Sequence, residues 1–499
     1  MLHKHNSPSL TQKLYRADQV RSLEIEAAHS MGVNAYELMQ RAGMAVLEHA
    51  LNELPEASNI LVLVGSGNNA GDGYLAALNA LNAGLQVKLC AIQADRELEG
   101  DAQKARQAWL QIGGEVATFH SELVQAADLV VDAMLGIGIT GTTRNEYAEV
   151  IDALNASATP VFSVDIPSGL HPDTGEAMGR CVQADYTLSF IGIKLGLTTG
   201  AGKQACGKLL FDDLGVGKAF ADRARCDATA LDLKHFKGLA PRPVYSHKGS
   251  YGRLLCVGGN KGMSGAIRMT AEAALRTGTG LVKVYAHQES RVQICAGRPE
   301  LMVVCEDLEA SLAWSTCVVI GPGLGRDEWS ESTFNTVIKH CHQHDKPILI
   351  DADALNLAAT SSVFLSMSNS IMTPHSGEAA RLLNEDVDSI EANRFVFARQ
   401  CAQRYDAICV LKGPGTIIDN QQHSWVCRHG NPGMATAGMG DVLAGIIASL
   451  IAQGIDLALA AQYGVSLHAK AADIIAAEQG QRGMLATDLF ATIRALVNE

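Results

Sequence analysis

One stretch decides how the second half of the chain folds: it reads Asn431-Pro-Gly-Met-Ala-Thr-Ala-Gly-Met-Gly-Asp441 and continues Val-Leu-Ala-Gly-Ile-Ile-Ala-Ser-Leu450. A loop of small residues that ends in Gly438, Gly440 and Asp441 is followed by an apolar run long enough for a helix. The first backbone N–H groups of such a helix lack intrahelical partners, and the helix dipole there favours an anion. Because glycines admit a phosphate and an aspartate can move a proton, the stretch predicts phosphoryl chemistry with Asp441 as acid or base. The alternative is an ordinary helix start with an acidic first turn.

Length and composition limit the classes of protein that fit. A chain of 499 residues with 47% hydrophobic and 19% charged residues predicts a globular protein of two or three domains. The formal net charge of −13 argues against a general nucleic-acid binder. The sequence shows no bilayer-spanning run and no signal segment, and its 12 cysteines include no Cys-x-x-Cys pair. We therefore expect a cytoplasmic protein with reduced thiols.

The first half of the chain predicts a doubly wound α/β sheet. Residues from Ala17 to Leu54 have the spacing of two amphipathic helices. A buried strand is predicted over Ile60–Val64, and it opens into Gly65-Ser-Gly-Asn-Asn-Ala-Gly-Asp-Gly73. A helix from Tyr74 and a strand over Val87–Ile92 complete a βαβ unit. Further strands are predicted over residues 129–133, 161–165, 186–191 and 208–212.

Polar side chains follow three of these predicted strands: Asn68, Asn69 and Asp72, then Asp132, then Asp165 and Ser168. Ligands of open parallel sheets bind at the carboxyl ends of the strands, so we expect one cleft to gather these residues. Oxygen ligands of this kind suit a hard monovalent or alkaline-earth cation. Any one of the residues could instead serve only to shape a turn.

A dinucleotide-binding Rossmann domain is the competing interpretation of the first half. Gly65-x-Gly67-x-x-Ala70 matches that fingerprint loosely. Asn68, Asn69 and Asp72 argue against it, because a pyrophosphate loop needs only backbone groups at such positions.

A second α/β domain is predicted after a break in the pattern. Strand signals lapse over residues 219–240, and Pro241-Arg-Pro243 closes that segment. The predicted domains are residues 1–222 and residues 223–499. The βα pattern then restarts with a strand over Arg253–Val257, a glycine-rich loop and a helix over Ala266–Thr277.

Loops after the predicted strands of the second half carry polar residues or glycines: Gly321-Pro-Gly-Leu-Gly325, Asp351-Ala-Asp353, Thr373-Pro-His375 and Lys412-Gly-Pro-Gly-Thr416. The P-loop pattern Gly-x-x-x-x-Gly-Lys-Ser/Thr does not occur, which excludes a P-loop NTPase. A lysine and a threonine hydroxyl that flank glycines suit a nucleotide phosphate, although Lys412 could be a surface lysine and His375 a helix cap. Together with the Asp441 loop they predict a nucleotide-using enzyme.

With these residues the chain resembles the bifunctional NAD(P)H-hydrate repair enzymes over about residues 14–496. The motifs that carry the resemblance are Gly-Asn-Asn-Ala-Gly-Asp-Gly, Asp-Ile-Pro-Ser-Gly, Lys-Gly-Ser-Tyr-Gly, Gly-Pro-Gly-Leu-Gly, Thr-Pro-His-Ser-Gly-Glu and Ala-Gly-Met-Gly-Asp. The resemblance implies an N-terminal Rossmann-like three-layer αβα epimerase that interconverts the R and S forms of hydrated NADH and NADPH and binds potassium. It also implies a C-terminal ribokinase-like dehydratase that restores NAD(P)H from the S form, with ADP as co-substrate, Mg²⁺, and AMP and phosphate as products.

The resemblance also implies roles for individual positions. In the epimerase, the substrate-binding positions are Asn68, Asn69, Ala70, Gly71, Asp72, Gly136, Ile137, Gly138, Ile139, Thr140, Gly141, Thr142 and Asp165, and the potassium ligands are Asn69, Asp132 and Ser168. In the dehydratase, the hydrate-binding positions are Ala266, Gly323, His375 and Asp441, and the ADP-binding positions are Lys412, Gly413, Pro414, Gly415, Thr416 and Gly440. The chemistry of the implied reactions favours Asp441 as the base of the dehydratase and Asp165 as the acid or base of the epimerase. Lys194 either assists Asp165 or is an ordinary lysine at a strand end. Ala70 departs from the glycine of many relatives.

Two alternatives of other classes stay open on the sequence. The second half could be a ribokinase-like kinase for a small metabolite or vitamin precursor, and the first half a non-catalytic Rossmann-like interaction module. The expected partners are NADHX, NADPHX, ADP and further copies of the same chain, with no nucleic acid and no membrane.

Overall fold

The computed structural model describes residues 9–361 and 367–499, which divide into two compact units, residues 9–229 and residues 230–499. No helix in these ranges is long and apolar enough to cross a membrane. The predicted domain boundary between residues 222 and 223 falls inside the first unit, seven residues before its end.

The first unit contains a sheet of seven described strands, all parallel to their neighbours, in the order β4-β3-β2-β5-β6-β7-β9. Two short strands, β1 and β8, pair in parallel, and β10 pairs antiparallel with β1. The strands are β1 (Lys13–Tyr15), β2 (Asn59–Val64), β3 (Gln86–Ala91), β4 (Val116–Ala117), β5 (Leu129–Ala133), β6 (Val161–Val164), β7 (Tyr186–Phe190), β8 (Ile193–Lys194), β9 (Lys208–Asp212) and β10 (Ala228–Leu231).

Helices cover both faces of the seven-stranded sheet. Side chains of β2 show this directly: Ile60, Val62 and Val64 belong to one apolar cluster, whereas Leu61 and Leu63 belong to another on the opposite face. The helices of this three-layer unit are α1 (Ala17–Ser30), α2 (Ala35–Glu53), α3 (Asn68–Asn82), α4 (Gly100–Gln111), α5 (Glu122–Ala126), α6 (Asn145–Asn155), α7 (Gly200–Ala205) and α8 (Gly217–Ala221).

The helix after β2 begins earlier than the sequence predicts. We expected a loop as far as Gly73 and a helix from Tyr74, but α3 begins at Asn68, so that prediction is wrong. Small residues allow the early start: Gly71 packs against Met39 and Gly73 against Ala133, where an added Cβ would lie 2.5 and 2.6 Å from the nearest atoms. Asn68, Asn69 and Asp72 are therefore first-turn helix residues.

The second unit contains a sheet in the order β13-β12-β11-β14-β15-β16-β17-β18-β19 among its described strands. Pairing is parallel from β13 to β17 and antiparallel from β17 to β19. These strands are β11 (Arg253–Val257), β12 (Leu281–Tyr285), β13 (Met302–Val304), β14 (Cys317–Ile320), β15 (Ile348–Ile350), β16 (Ser370–Met372), β17 (Ile408–Leu411), β18 (Ile417–Asp419) and β19 (Ser424–Cys427).

The helix predicted from the opening stretch lies at the centre of the second core. Twelve of the fourteen residues of α17 are buried, as expected of a helix that is apolar on all sides. It packs on α9 and α18, and Gly445 allows the closest approach, since a Cβ there would lie 2.2 Å from the Thr270 carbonyl oxygen. The helices of this unit are α9 (Ser264–Thr277), α10 (Arg291–Cys295), α11 (Leu308–Trp314), α12 (Glu328–Gln343), α13 (Ala352–Thr360), α14 (Ser376–Leu383), α15 (Val387–Ala392), α16 (Arg394–Tyr405), α17 (Met439–Ala452), α18 (Leu457–Gln479) and α19 (Leu489–Leu496).

Candidate active sites

A cavity of about 790 Å³ lies at the carboxyl ends of the central strands of the first unit. Its lining joins α1, the start of α3, the loop after β5 and the ends of β6 to β8. The charged and amide side chains on it include Arg21, Glu24, Asn68, Asn69, Asp72, Asp165 and Lys194. The sequence-predicted cleft is therefore one cavity, and α1 contributes a wall that the strand-end argument did not include.

Asp165 is fixed at the floor of this cavity by backbone and by a lysine. It directly follows β6 with φ of 65°, in the left-handed region that a residue with a side chain rarely adopts. Its Oδ1 atom accepts a hydrogen bond from the Phe190 amide at 3.0 Å and contacts the Lys194 ammonium. Lys194 is buried and also donates to the Phe190 carbonyl oxygen at 3.2 Å. This lysine is therefore the ion-pair partner of Asp165.

Two more carboxyl groups face the same lysine. Burial raises the pKa of Asp72 well above its ordinary value, and the Asp165 and Glu24 charges raise it further while Lys194 lowers it. Burial likewise raises the pKa of Glu24 to about 7, against the attraction of Lys194. One buried ammonium thus faces three carboxyl groups, and its single positive charge cannot offset all three.

The three predicted cation ligands meet around the Leu135 carbonyl group. The Ser168 hydroxyl lies 3.3 Å from the Leu135 oxygen and the Asn69 side-chain amide 3.4 Å from it. Ser168 donates to Asp132 through its hydroxyl at 2.5 Å and through its backbone amide at 2.9 Å. Burial raises the pKa of Asp132, and these bonds together with one from Ser163 lower it. An amide side chain, a hydroxyl, a carbonyl oxygen and a carboxylate therefore lie close together.

The remaining predicted epimerase positions divide between cavity and core. Gly136, Ile137, Gly138 and Ile139 line the cavity. Ala70 and Gly71 are on the face of α3 that is buried in the core. Thr140, Gly141 and Thr142 continue the same loop but are not on the cavity lining.

In the second unit Asp441 lies in the first turn of α17, next to a group of acidic side chains. Gly438 has φ of 91° and precedes the first helical residue, Met439. Burial raises the pKa of Asp441 to about 7; Asp351, Asp353 and Glu378 raise it too, and Lys412 lowers it. A carboxyl group with such a pKa exchanges a proton readily near neutral pH.

Lys412 joins this acidic group to the predicted nucleotide loop. Its Nζ atom is 2.7 Å from Asp351 Oδ1 and 3.7 Å from Glu378 Oε2. Burial opposes its charge, but Asp351 and Glu378 raise its pKa overall. Gly440 is close by, since a Cβ on it would lie 3.4 Å from Lys412 Nζ. The structure therefore brings Lys412, Gly440 and Asp441 together, as the sequence predicts.

His375 is both a cap of α14 and a member of the acidic group. Its Nδ1 accepts from the backbone amides of Gly377 and Glu378 at 3.0 and 3.3 Å, and its own amide donates to Glu378 Oε2 at 2.8 Å. Burial and Lys412 lower its pKa. An accepting Nδ1 leaves the proton of the neutral ring on Nε2, which is 3.4 Å from Glu378 Oε1.

A buried arginine, Arg394, fixes the start of the loop Lys412–Thr416 through hydrogen bonds to the backbone. Arg394 donates to the carbonyl oxygens of Leu411 and Lys412 at 3.2 and 3.1 Å and pairs with Glu391. Gly413 has φ of 144°, and a Cβ on it would lie 2.6 Å from the guanidinium. Thr416 closes the loop by donating to the Gly413 carbonyl oxygen at 3.1 Å. Pro414 is exposed at its tip and Gly415 is buried.

Gly323 and Ala266, two of the predicted hydrate-binding positions, lie next to each other. A Cβ on Gly323 would lie 3.3 Å from that of Ala266, so the two positions face each other. The following residues reach the acidic loop, because the Gly325 amide donates to Asp353 Oδ2 at 2.9 Å.

Comparison with known proteins places the chain in one family. Two family models match the chain: YjeF-related protein N-terminus over residues 35–196, and NAD(P)H-hydrate dehydratase over residues 254–495. The bifunctional NAD(P)H-hydrate repair enzyme Nnr of Escherichia coli K12 is 43% identical across 99% of this chain and 96% of its own length. The Coxiella burnetii enzyme of the same name is 42% identical across 97% and 99%. This chain belongs to the bifunctional NAD(P)H-hydrate repair enzymes.

Membership confirms the family and the enzyme class predicted from the sequence. The parallel strands of both halves confirm the predicted α/β class. Solved structures match the second half: the ADP/ATP-dependent NAD(P)H-hydrate dehydratase of Bacillus subtilis, co-crystallised with ATP and Mg²⁺, is 26% identical across 52% of this chain and 93% of that chain, with a TM-score of 0.46. A ribokinase-like superfamily protein of Enterococcus faecalis is 29% identical across 52% and 92%, with a TM-score of 0.48.

Several site residues of this NAD(P)H-hydrate repair enzyme were missed at the sequence level. Glu24 lies on a helix that precedes the first long strand, so no strand-end rule could select it. Asp351 follows β15 directly, and Glu378 belongs to the Thr-Pro-His-Ser-Gly-Glu motif. Both positions could therefore have been selected from the sequence. Arg394 had no signal, because a buried arginine in a helix looks like a surface one in sequence.

Proposed function

We propose that the first half interconverts the R and S forms of hydrated NADH and NADPH, and that the second half dehydrates the S form with ADP, giving AMP and phosphate. The observation that carries the second part is the Asp441 carboxyl group, with a pKa near 7, at the N-terminus of α17 and beside Lys412. A proton acceptor and an anion-binding helix end in one place support transfer of a phosphoryl group to a hydroxyl.

The proposed dehydration has two steps, and each conserves atoms and charge. Asp441 takes the proton of the substrate hydroxyl, and the oxygen attacks the β-phosphorus of ADP, so that AMP leaves. The phosphate ester is a better leaving group than hydroxide. Loss of phosphate with a proton from the neighbouring carbon then restores the reduced nicotinamide. Backbone amides at Met439 and Gly440 would stabilise the phosphoryl charge.

Magnesium fits this proposal only together with the nucleotide. No group of three metal-binding side chains occurs in the described part of the chain. Mg²⁺ usually takes one or two carboxylates and completes its octahedron with substrate phosphates and water. Asp351 would supply one such carboxylate, and the ion would neutralise charge on the transferring group.

In the first half, Asp165 is the proposed acid or base, and the oxygens of Asn69, Asp132, Ser168 and Leu135 would hold potassium. One carboxylate with neutral oxygens suits a large, weakly charged ion better than magnesium. Such an ion would offset the charge of buried Asp132 and fix the loop after β5 on the cavity.

The proposed function is tested by adding hydrated NADH to the full-length protein and following the NADH absorbance with ADP, with ATP or without nucleotide. We expect absorbance to return with ADP. A failure with both nucleotides would remove the dehydratase proposal. Return of only the S fraction, with the R form left unchanged, would remove the epimerase proposal.

The potassium proposal predicts a cation-dependent epimerase. R-form conversion should be fastest in potassium and slower in sodium or a large organic cation at equal ionic strength, because the site needs an ion of fitting size. Asp132→Ala should weaken epimerisation and leave ADP-dependent dehydration of the S form intact. Identical rates in all three cations would contradict the cation site.

The kinase alternative loses its support, because the family model that matches the second half is a dehydratase. The interaction-module alternative does not account for the charged residues that line the cavity of the first half. The homo-oligomer stays a prediction.

A further inference from the structure

Epimerisation at a hydroxyl-bearing carbon calls for two proton carriers. The inference below rests on the proposed epimerase function. Water can leave one face only if an acid protonates the hydroxyl, and water can add to the other face only if a base takes its extra proton. Asp165 can serve as one of these groups. Asp72 lies among the predicted substrate-binding positions at the start of α3, and another wall of the cavity offers a further carboxyl group.

Glu24 occupies that other wall. It projects from α1 into the same cavity as Asp165 and Lys194, and it interacts electrostatically with both. Within residues 9–361 and 367–499 no hydrogen bond engages its carboxyl group, whereas Asp165 is held by an amide and an ammonium. A half-buried carboxyl that contacts a substrate cavity and has no bonding partner in the protein is available to a ligand.

The surrounding charges decide which form Glu24 takes. The groups that face it are Lys194 and Arg21, which favour the carboxylate, and Asp165 and Asp72, which oppose it. Arg21 is exposed, and its guanidinium donates to the Ile137 carbonyl oxygen at 3.0 Å. Water and this hydrogen bond weaken the effect of its charge on Glu24. Lys194 is in contact with Asp165, so its charge is already paired. Glu24 and Asp72 are therefore the two carboxyl groups of the cluster without a dedicated cation, and the Asp72→Asn variant in the test below separates them.

We propose that Glu24 is the second catalytic residue of the epimerisation. It donates a proton to the departing hydroxyl, the carbon–oxygen bond breaks, and water leaves. A water molecule then adds to the opposite face of the resulting cation and gives its proton to the Asp165 carboxylate. Atoms and charge balance over the two steps, and the reverse conversion uses the same groups with their protonation exchanged.

The titration of Glu24 supports this assignment. Burial raises its pKa to about 7, so both its acid and its carboxylate forms are populated at neutral pH. An acid that is half protonated at the working pH is well suited to proton transfer. Epimerisation should therefore fall as the pH rises above about 7 and Glu24 loses its proton.

The test uses Glu24→Gln in the full-length protein, with Glu26→Gln as the matched control on the exposed side of the same helix. Glutamine keeps the size of the side chain but cannot donate a proton as an acid. We expect kcat for R-to-S conversion to fall by about two to four decades, the range of acid–base contributions, with KM within a few-fold. Glu26→Gln should match the parent protein. Both variants should keep S-form dehydration, and both should keep the thermal unfolding transition of the first unit, which shows that this unit is folded.

The pH profile provides the second readout. Glu24→Asp should retain some activity and the fall above pH 7, whereas the residual activity of Glu24→Gln should lack that fall. Unchanged kcat, or a rise in KM alone, in Glu24→Gln would overturn the proposal. Loss of the high-pH fall in Asp72→Asn but not in Glu24→Gln would assign the acid to Asp72 and would also overturn it. A parent protein that leaves the R form unchanged would refute the proposed function instead.

Discussion

At the scale of single residues, both sites place carboxyl groups where their charge is disfavoured. Glu24 in the first unit and Asp441 and Glu378 in the second have pKa values raised to about 7, in each case mainly by burial. Each group needs a neighbouring cation, a proton or a ligand to offset its charge. Burial brings these pKa values close to neutral, which favours proton transfer. The same burial lowers folding stability when the groups are ionised.

Asp441→Asn should abolish most of the dehydratase activity. The variant keeps the size of the side chain but removes the base, so turnover should fall by about two to four decades. In the parent protein, kcat/KM should fall as the pH drops below about 7 and Asp441 gains a proton. ADP affinity should hold or improve, because a negative charge leaves an anion site. Measurement of turnover and ADP binding between pH 5.5 and 8.5 checks this, and unchanged turnover would reduce Asp441 to a helix-start residue.

The same variant should stabilise the second half at high pH. The folded protein binds the Asp441 proton more tightly than the unfolded chain does, so the free energy of unfolding decreases as the pH rises from about 4 to about 7. Asparagine does not titrate, so the free energy of unfolding of the variant lacks this decrease. We expect a gain of up to about 4 kcal/mol at pH 8, the equivalent of three pKa units, and almost none at pH 4. Denaturant unfolding of the second half at the two pH values checks this, and an equal effect at both would exclude burial of the charge as the cause.

At the scale of helices and strands, the sequence predicted the positions of strands well and the starts of helices poorly. Buried runs such as Ile60–Val64 have few alternatives to a parallel strand, so β2 falls where the pattern placed it. The start of α3 depends on Gly71 and Gly73, whose packing against Met39 and Ala133 is a tertiary fact. The sequence analysis missed Glu24 and Arg394 for the same reason. Each lies on a helix and contacts residues distant in sequence, and the sequence of such a helix shows only an amphipathic pattern.

Two glycines in neighbouring helices should respond oppositely to alanine. Gly445→Ala in α17 should destabilise the second half by about 1–3 kcal/mol, because the new methyl would overlap the Thr270 carbonyl of α9. Gly265→Ala in α9 should stabilise it by about 0.5–1 kcal/mol, because its Cβ would enter open space and alanine favours the helix. Chemical unfolding of the two variants checks this pair, and a destabilisation of equal size in both would refute the packing argument.

At the scale of the whole molecule, each unit has its own set of parallel strands, its own apolar core and its own candidate site. The last strand of the first unit begins at Ala228, and Ala228 and Thr229 pair with Leu14 and Lys13 of β1. Just before it, the buried Phe220 packs edge-on against Tyr15 with ring centroids 4.9 Å apart. We therefore expect the first unit to depend on the chain as far as Thr229, seven residues beyond the predicted boundary between residues 222 and 223.

Fragments should show where the functional boundary lies. Residues 1–229 should fold and epimerise hydrated NADH, and residues 230–499 should dehydrate the S form. A fragment of residues 1–219 should unfold at a lower temperature than residues 1–229, because it lacks Phe220 and the strand partner of β1. Thermal unfolding and the two activity assays check this. Equal stability of the two N-terminal fragments would show that the segment after Ala219 belongs to neither core.

At Asp165, the residue that the proposed reaction needs also strains the backbone, because its φ lies in the left-handed region. A residue with a side chain costs roughly 1–2 kcal/mol in this conformation, and glycine costs far less. Asp165→Gly would remove that strain, but it would leave the buried Lys194 ammonium without its partner, a loss of about 3–5 kcal/mol that exceeds the gain. We therefore expect this change to lower the stability of the first half as well as to end epimerisation. A descendant of this gene that no longer needed the reaction would gain stability only by losing the aspartate and the lysine together. These two positions, taken as a pair, thus record whether a lineage still uses the domain as an enzyme or keeps it only as a folded module.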